Sequence, residues 1–323
     1  MAADTSSDES LLQELRKAIE KHESTPDEKS EDIKACEACI GSVAKRAHSA
    51  QQIIHHLIKE NLLKSILYHL PEFSPKARQD IKHIWLISLK SEILRKEMDD
   101  YIRANPEILI LLVRGYTKDD SMVQTYGDIL RFSIKHEAMF YMILFSPLSW
   151  QFFNFVTAEE YAKSADAFKT FKIMLTRNNG YHRKHVAGFL KKNFTKFFGK
   201  FRELLTDDRY HVKRQALRLL SDVLQAKANF SIMVKYISQP SNLELMIKHL
   251  CQNDNQKKGI KSEAFHVFKF FVANPRKPEC IVEVLAKNKT KLISTLEEME
   301  KDGSDYGQEL PLLIKRLKQL PAK

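Results

Sequence analysis

The stretch that decides the fold is AFHVFKFFV, residues 264–272 of this 323-residue chain. Its apolar side chains follow the i, i+3, i+4, i+7, i+8 spacing of one broad helical face: Ala264, Val267, Phe268, Phe271 and Val272. A face of that width is typical of an inner helix packed between neighbouring helices. The stretch therefore predicts a buried helix whose lysine, Lys269, points away from the apolar face.

The same pattern, a large apolar residue followed by Lys or Arg and further apolar residues, recurs upstream. Its copies begin at Leu130, Phe171, Leu217 and Phe268, so the steps are 41 (130 to 171), 46 (171 to 217) and 51 (217 to 268) residues. HEAT and armadillo repeats have periods of roughly 40–47 residues. We therefore predict an all-α, right-handed helical-repeat solenoid, a HEAT/armadillo-like horseshoe; an irregular helical bundle is the alternative.

Stacked repeats would align the basic residue of each copy along the concave groove. The predicted basic ladder consists of Arg131, Lys172, Arg218 and Lys269. The chain has 52 Lys and Arg against 41 Asp and Glu, a formal net charge of +11. Such a surplus favours an acidic partner, whether nucleic acid, an anionic membrane or an acidic protein surface, without choosing among them.

The chain is expected to divide at residue 32. Residues 1–32 are acidic and polar, and Ser10 with Gln13 resembles a capping box that would open a short helix before a linker. Residues 33–323 form the predicted single repeat domain. No signal peptide or membrane span is apparent, so we expect a cytoplasmic protein.

Motifs of enzymes and of bound metals are missing from the sequence. There is no phosphate-binding glycine loop, nucleophile elbow, zinc-protease motif or kinase catalytic set. Cys36 and Cys39 form a lone CxxC whose cysteines pack more readily as small apolar residues. His182 and His185 lie in a basic segment without further ligands, which we expect to be exposed. We expect no enzyme activity, no cofactor and no metal.

Two segments combine basic and aromatic residues. Residues 191–202 could bind single-stranded nucleic acid, but their four phenylalanines recur at helical spacing and are better explained as core. Tyr210, Arg214 and Arg218 are spaced i, i+4, i+8 on one helix ridge, opposite the apolar side. Exposed Tyr and Arg together are typical of interface hot spots; a solvated basic face is the alternative.

Four segments resemble the calcium-binding protein 39 family, also called the Mo-twenty-five scaffold proteins. They are residues 165–172 with 175–177, 213–220, 229–238 and 263–275, the last being EAFHVFKFFVANP. The resemblance is close over about 152–292 and weaker before residue 130. An Arg-Arg-Gln-Ile-Gly-Thr-Arg run of the family is missing from residues 89–95, which marks a divergent member.

The resemblance implies a horseshoe of helical repeats without enzyme activity. Family members bind sterile-twenty-type (germinal-centre) protein kinases, or a related pseudokinase, through the concave face and hold the kinase's regulatory helix in its active position. The chain would then act as a monomer within a hetero-complex, and fungal relatives serve cell polarity and cytokinesis.

The resemblance also implies two sets of site residues. The kinase-contact positions correspond to Tyr161 (phenylalanine in the family), Tyr210, Arg214 and Arg218 (lysine in the family). A pocket for the pseudokinase's Trp-Glu-Phe tail corresponds to Lys227 (arginine in the family), Phe230, Ile247 (methionine in the family) and Lys287. We expect Phe230 and Ile247 to line its apolar floor and the two lysines to stand at its rim.

Two hypotheses therefore follow from the sequence. The first is a non-catalytic scaffold that binds and allosterically activates a protein kinase. The second is a HEAT-type nucleic-acid-binding solenoid that uses its basic groove.

Overall fold

The computed structural model describes residues 2–24, 29–46, 51–118, 120–252, 258–301 and 309–321. Over these residues the protein consists of twenty α-helices and three short 3-10 helices, with no strand. None of the described helices is long and apolar enough to cross a membrane. The all-α prediction is confirmed.

The chain forms two compact units, Met1–Met174 and Leu175–Lys323. The helices of the first unit are α1 (Ala2–Ser24), α2 (Lys29–Arg46), α3 (Gln51–Lys59), α4 (Leu62–Tyr68), η1 (Leu70–Glu72), α5 (Pro75–Lys90), α6 (Arg95–Ala104), α7 (Glu107–Arg114), η2 (Gly115–Thr117), α8 (Asp120–Ser133), α9 (Glu137–Leu144), α10 (Leu148–Phe155) and α11 (Tyr161–Thr176). Those of the second are α12 (Gly180–Lys192), α13 (Phe194–Thr206), α14 (Tyr210–Gln225), η3 (Lys227–Asn229), α15 (Phe230–Ile237), α16 (Pro240–Leu250), α17 (Lys258–Ala273), α18 (Glu279–Lys287), α19 (Lys289–Lys301) and α20 (Glu309–Lys318).

Each unit is a stack with a period of three helices. In the first unit α2 packs on α5 and α5 on α8, while α3 packs on α6 and α6 on α9; in the second, α14 packs on α17 and α17 on α20. A three-helix period is that of armadillo-type repeats. The apolar-basic copies fall on α8, α11, α14 and α17, which are successive third helices, so the repeat prediction is confirmed.

Local sequence explains where several of the helices begin. The side chain of Ser74 accepts a hydrogen bond from the Ala77 backbone N–H at the start of α5, with Pro75 in the first turn. Asn179 caps α12 in the same way, and Pro240 opens α16. The helix start predicted at Ser10 is wrong, because α1 begins at Ala2 and contains Ser10 in its interior.

Apolar burial holds the stacks together. Trp85 of α5 is 1% exposed, and its indole N–H donates to Ser133 Oγ of α8 at 3.0 Å. The four phenylalanines of residues 191–202 are all buried, which confirms that they belong to the core: Phe194, Phe197, Phe198 and Phe201. Cys36 and Cys39 are also buried, and burial raises the pKa of the Cys36 thiol to about 12.

A buried polar network joins α8 to α11 in the first unit. The guanidinium of Arg131, 5% exposed, donates to Asp128 at 2.6 Å and to Asp166 at 2.8 Å. Tyr116 of η2 donates to the same Asp166 carboxylate at 2.7 Å. The groups meet beside Gly127, where a Cβ would lie 2.2 Å from Asp166 Oδ2.

Gly127→Ala should therefore destabilise the protein. The added methyl collides with the Asp166 carboxylate, which is held by hydrogen bonds from Tyr116 and Arg131, and overpacking of this kind costs about 1–3 kcal/mol. Gly199→Ala is the matched control, since a Cβ at Gly199 meets nothing within 4 Å, and replacing a helical glycine gains up to about 1 kcal/mol. Urea unfolding of both variants tests this, and equal or opposite effects would contradict it.

Buried histidines should make the stability of the protein depend on pH. His249 of α16 is 3% exposed, and burial, followed by the charge of Lys213, lowers its pKa to about 4. An unfolded histidine titrates near pH 6.5, so the unfolded chain binds the extra proton between pH 6.5 and 4. The free energy of unfolding should fall as the pH decreases through that window. His249→Gln should flatten the dependence, measured by urea unfolding at several pH values; an unchanged slope would contradict this.

Candidate functional site: the α14 ridge

The predicted Tyr-Arg-Arg ridge lies on the exposed side of α14. Its opposite side is buried through Val212, Ala216, Leu217, Leu219, Leu220, Val223 and Leu224. Tyr210 is 40% exposed although it is aromatic, and Arg214 and Arg218 are both exposed. Because the apolar side fixes the rotation of the helix, the three side chains at i, i+4 and i+8 must share the solvent side.

The first turn of α17 supports two of these side chains. A Cβ at Gly259 would lie 2.3 Å from the Tyr210 hydroxyl and 3.0 Å from Arg214 Nε, so both side chains extend over a position that only glycine leaves open. Glu263, one turn further along α17, lies 3.9 Å from Arg214 Nε. That contact is at the outer limit of an ion pair, and it leaves the guanidinium fork available to another carboxylate.

The basic ladder is only partly present. Arg131 is buried in its network and cannot belong to an exposed surface, so its predicted place in the groove is wrong. Lys172 is half-buried, and Lys269 is held by both carboxylate oxygens of Glu309 of α20, at 2.9 and 3.0 Å. Of the ladder residues in the second unit, Arg218 is exposed and forms no ion pair with a described residue.

Tyr161, the fourth residue predicted to contact a kinase, is the first residue of α11 in the other unit. Its side chain is 66% exposed. An aromatic side chain left in solvent at this level is a suitable contact for a partner.

The residues predicted to form a tail pocket lie on η3, α15, α16 and α18 of the second unit. Helix α16 packs against both α15 and α18, so these elements adjoin. Lys227 and Lys287 are exposed, as expected for a rim, and Ile247 is 6% exposed. Phe230 differs from the expectation, because it opens α15 with 66% of its side chain in solvent instead of lining a floor.

Two features were missed or mistaken in the sequence. An open cleft of about 700 Å³ lies between α2 and α5, with Lys34, Glu37, Lys45, Lys76, Asp80 and His83 among its lining residues. No motif marks it, because its two walls come from helices that are apart in the chain.

His182, expected to be exposed, is fully buried in α12, where burial and then Arg177 lower its pKa to about 4.

The three-helix stacks and the exposed ridge define the class: an armadillo-type helical-repeat protein that presents polar and aromatic side chains on one inner helix. Comparison with known proteins then gives the family. The Mo25-like family profile matches residues 3–321, and the chain belongs to that family.

Individual relatives agree with this membership. The chain is 34% identical to human "Calcium-binding protein 39-like" over 96% of its length and 93% of the relative. It is 35% identical to "MO25-like protein 2" of Caenorhabditis elegans, covering 87% of this chain and 82% of that one. The "Mo25-like protein" of Schizosaccharomyces pombe is 34% identical, with 82% and 79% covered.

Removing the ridge side chains should leave the fold intact. Arg214→Ala and Arg218→Ala each truncate an exposed side chain, and such changes usually alter the free energy of unfolding by less than about 0.5 kcal/mol. Thermal unfolding followed by circular dichroism measures this. A loss of several degrees in Tm would show that the ridge is needed for the packing of α14, not for a partner.

Proposed function

We propose that this protein is a non-catalytic scaffold for a protein kinase of the sterile-twenty (germinal-centre) class, or for a related pseudokinase. Membership of the Mo25-like family supports a scaffold role. The observation that carries the proposal is the ridge of Tyr210, Arg214 and Arg218, which is exposed while the opposite side of α14 is packed. We propose further that it acts in the cytoplasm, as one copy within a heteromeric complex.

The ridge offers two kinds of contact to a kinase lobe. Tyr210 contributes rigid apolar area with a polar tip. Arg214 and Arg218 can each donate two parallel hydrogen bonds to a carboxylate of the partner. We propose that Tyr161 adds a second aromatic contact, and that Lys227, Phe230, Ile247 and Lys287 hold a partner's tail, with Phe230 as the exposed anchor.

Activation would follow from preferential binding. A scaffold shifts its partner towards the active conformation only as far as it binds that conformation more tightly. Allosteric coupling is typically about 1–3 kcal/mol, which corresponds to a 5- to 150-fold shift in the equilibrium. The scaffold needs no catalytic group for this.

The nucleic-acid alternative is less well supported. It rested on a continuous basic groove, but Arg131 is buried and Lys269 is neutralised by Glu309. If nucleic acid were the partner, binding would weaken steeply between 50 and 200 mM salt and would tolerate loss of Tyr210. Titration of labelled single-stranded DNA and RNA tests this directly.

Arg214→Ala and Tyr210→Ala should weaken binding to a sterile-twenty-class kinase domain. Truncating a central contact costs about 2 kcal/mol or more, or roughly 30-fold in Kd. Calorimetry gives the affinity, and a kinase assay with and without scaffold gives the activation. The matched control is Arg103→Ala, which truncates an exposed arginine outside the ridge, on α6.

Gly259→Ala provides a second variant that leaves every ridge residue in place. Its methyl would occupy the space of the Tyr210 hydroxyl and the Arg214 Nε, so both side chains must move and binding should weaken. Gly199→Ala should bind normally. If wild type, ridge variants and controls all bind the kinase with equal affinity and stimulate it equally, the ridge is only a solvated helix face.

A further inference from the structure

A cluster of histidines and carboxylates joins three separate elements of the first unit. His22 comes from the last turn of α1, His69 is the C-cap of α4, and Glu72 ends η1. Their ligand-type atoms, one from each side chain, all lie within 4.8 Å of one another. Glu23, next to His22, also reaches this cluster.

The chain builds the cluster through backbone geometry as well as packing. The Glu72 N–H donates to the His69 carbonyl at 2.9 Å, which turns both side chains to the same side of η1. Helix α1 packs on α4 and so brings in His22 from 50 residues away. His22 is 6% exposed, so the cluster has one buried wall, and Glu72 stands at its partly open edge.

The two histidines face more carboxylate oxygens than the N–H groups of two neutral imidazoles can satisfy. His69 faces a carboxylate with each ring nitrogen: Nδ1 lies 3.0 Å from Glu72 Oε1, and Nε2 lies 3.2 Å from Glu23 Oε1. His22 Nε2 lies 2.9 Å from the other oxygen of Glu72. A neutral imidazole carries only one N–H, so a neutral His69 leaves a lone pair against a carboxylate. Either a second proton or a cation must stand between them.

We propose that this cluster is a binding site for a divalent transition-metal ion of the zinc class. His22 Nε2, His69 Nδ1 and a Glu72 oxygen are its ligands. Two imidazoles and one carboxylate are a donor set that suits zinc and leaves a position for water. Calcium does not fit, because it takes six to eight oxygen ligands.

The surroundings of the cluster suit such an ion. Tetrahedral zinc ligands, about 2.0–2.1 Å from the metal, lie roughly 3.3 Å from one another. The two histidine nitrogens approach different oxygens of Glu72, at 2.9 and 3.0 Å, and side-chain rotations would bring the three ligand atoms, which lie within 4.8 Å of one another, to that spacing. With the ion on Nδ1, the Nε2–H of His69 donates to Glu23. Metal-bound histidines commonly have such a carboxylate partner, which fixes the tautomer. The ion would tie α1 to α4 and η1, at a distance in sequence from the α14 ridge.

The test is titration of the tag-free, full-length chain with Co²⁺, followed by displacement with Zn²⁺. Cobalt bound in a four- or five-coordinate site absorbs visible light far more strongly than the hydrated ion. Wild type should show a saturable band at one equivalent that Zn²⁺ removes. The partly exposed ligands give the informative variants, His69→Gln and Glu72→Gln, and each should weaken binding at least ten-fold. His55→Gln is the control, because His55 pairs with a single carboxylate, Glu97, at 2.7 Å.

Thermal unfolding supplies a readout that does not depend on colour. An ion that binds the native state raises Tm by mass action, so Zn²⁺ should raise the Tm of wild type and of His55→Gln, and excess chelator should reverse the rise. His69→Gln should show neither shift. Failure of wild type to bind Co²⁺ or Zn²⁺ would overturn the proposal, and so would equal binding by His69→Gln and Glu72→Gln.

Discussion

The interior of the first unit depends on one buried guanidinium. Arg131 lies almost out of solvent, where an unpaired charge would cost several kcal/mol. It is retained because Asp128 and Asp166 accept its hydrogen bonds and Thr170 Oγ1 lies 2.7 Å away. Burial alone would lower the pKa of Arg131, but the bonds to the two carboxylates outweigh burial and raise it. The network stays ionised and links α8 to α11.

The same network explains why α8 and η2 approach so closely. Asp166 also accepts from Tyr116, and Asp128 also pairs with Lys82 of α5 at 3.1 Å, so four elements meet at two carboxylates. Gly127 leaves room for these contacts, and a side chain there would displace Asp166, Arg131 and Tyr116. In a stack of otherwise apolar contacts, such a network fixes one register between successive repeats, because a shift by one turn would separate the charges from their partners.

Much of the fold could be predicted from sequence because its signals are local. Helix periodicity and the recurring apolar-basic motif predicted the helices and the repeat. The start of α1 was misplaced, since a capping box contributes only about 1 kcal/mol, whereas the turn before Ser10 is tied to α2 by Arg46, which donates to Ser7 Oγ and to Asp8 Oδ1 at 3.0 Å. The histidine cluster and the α2–α5 cleft were missed, because their residues meet only after the helices pack.

Arg131 and Arg218 show where the motif stops being informative. Both follow a leucine at the same place in the repeat, yet one is buried and the other is exposed. The difference lies in their partners: Asp128 stands three residues before Arg131, and the neutral Gln215 stands three residues before Arg218. A carboxylate at that spacing is a signal that the sequence does contain. The exposure of Arg218 thus reflects the lack of a carboxylate three residues before it as much as its own place in the repeat. An arginine that the fold does not neutralise keeps its hydrogen-bonding capacity for a surface outside the chain.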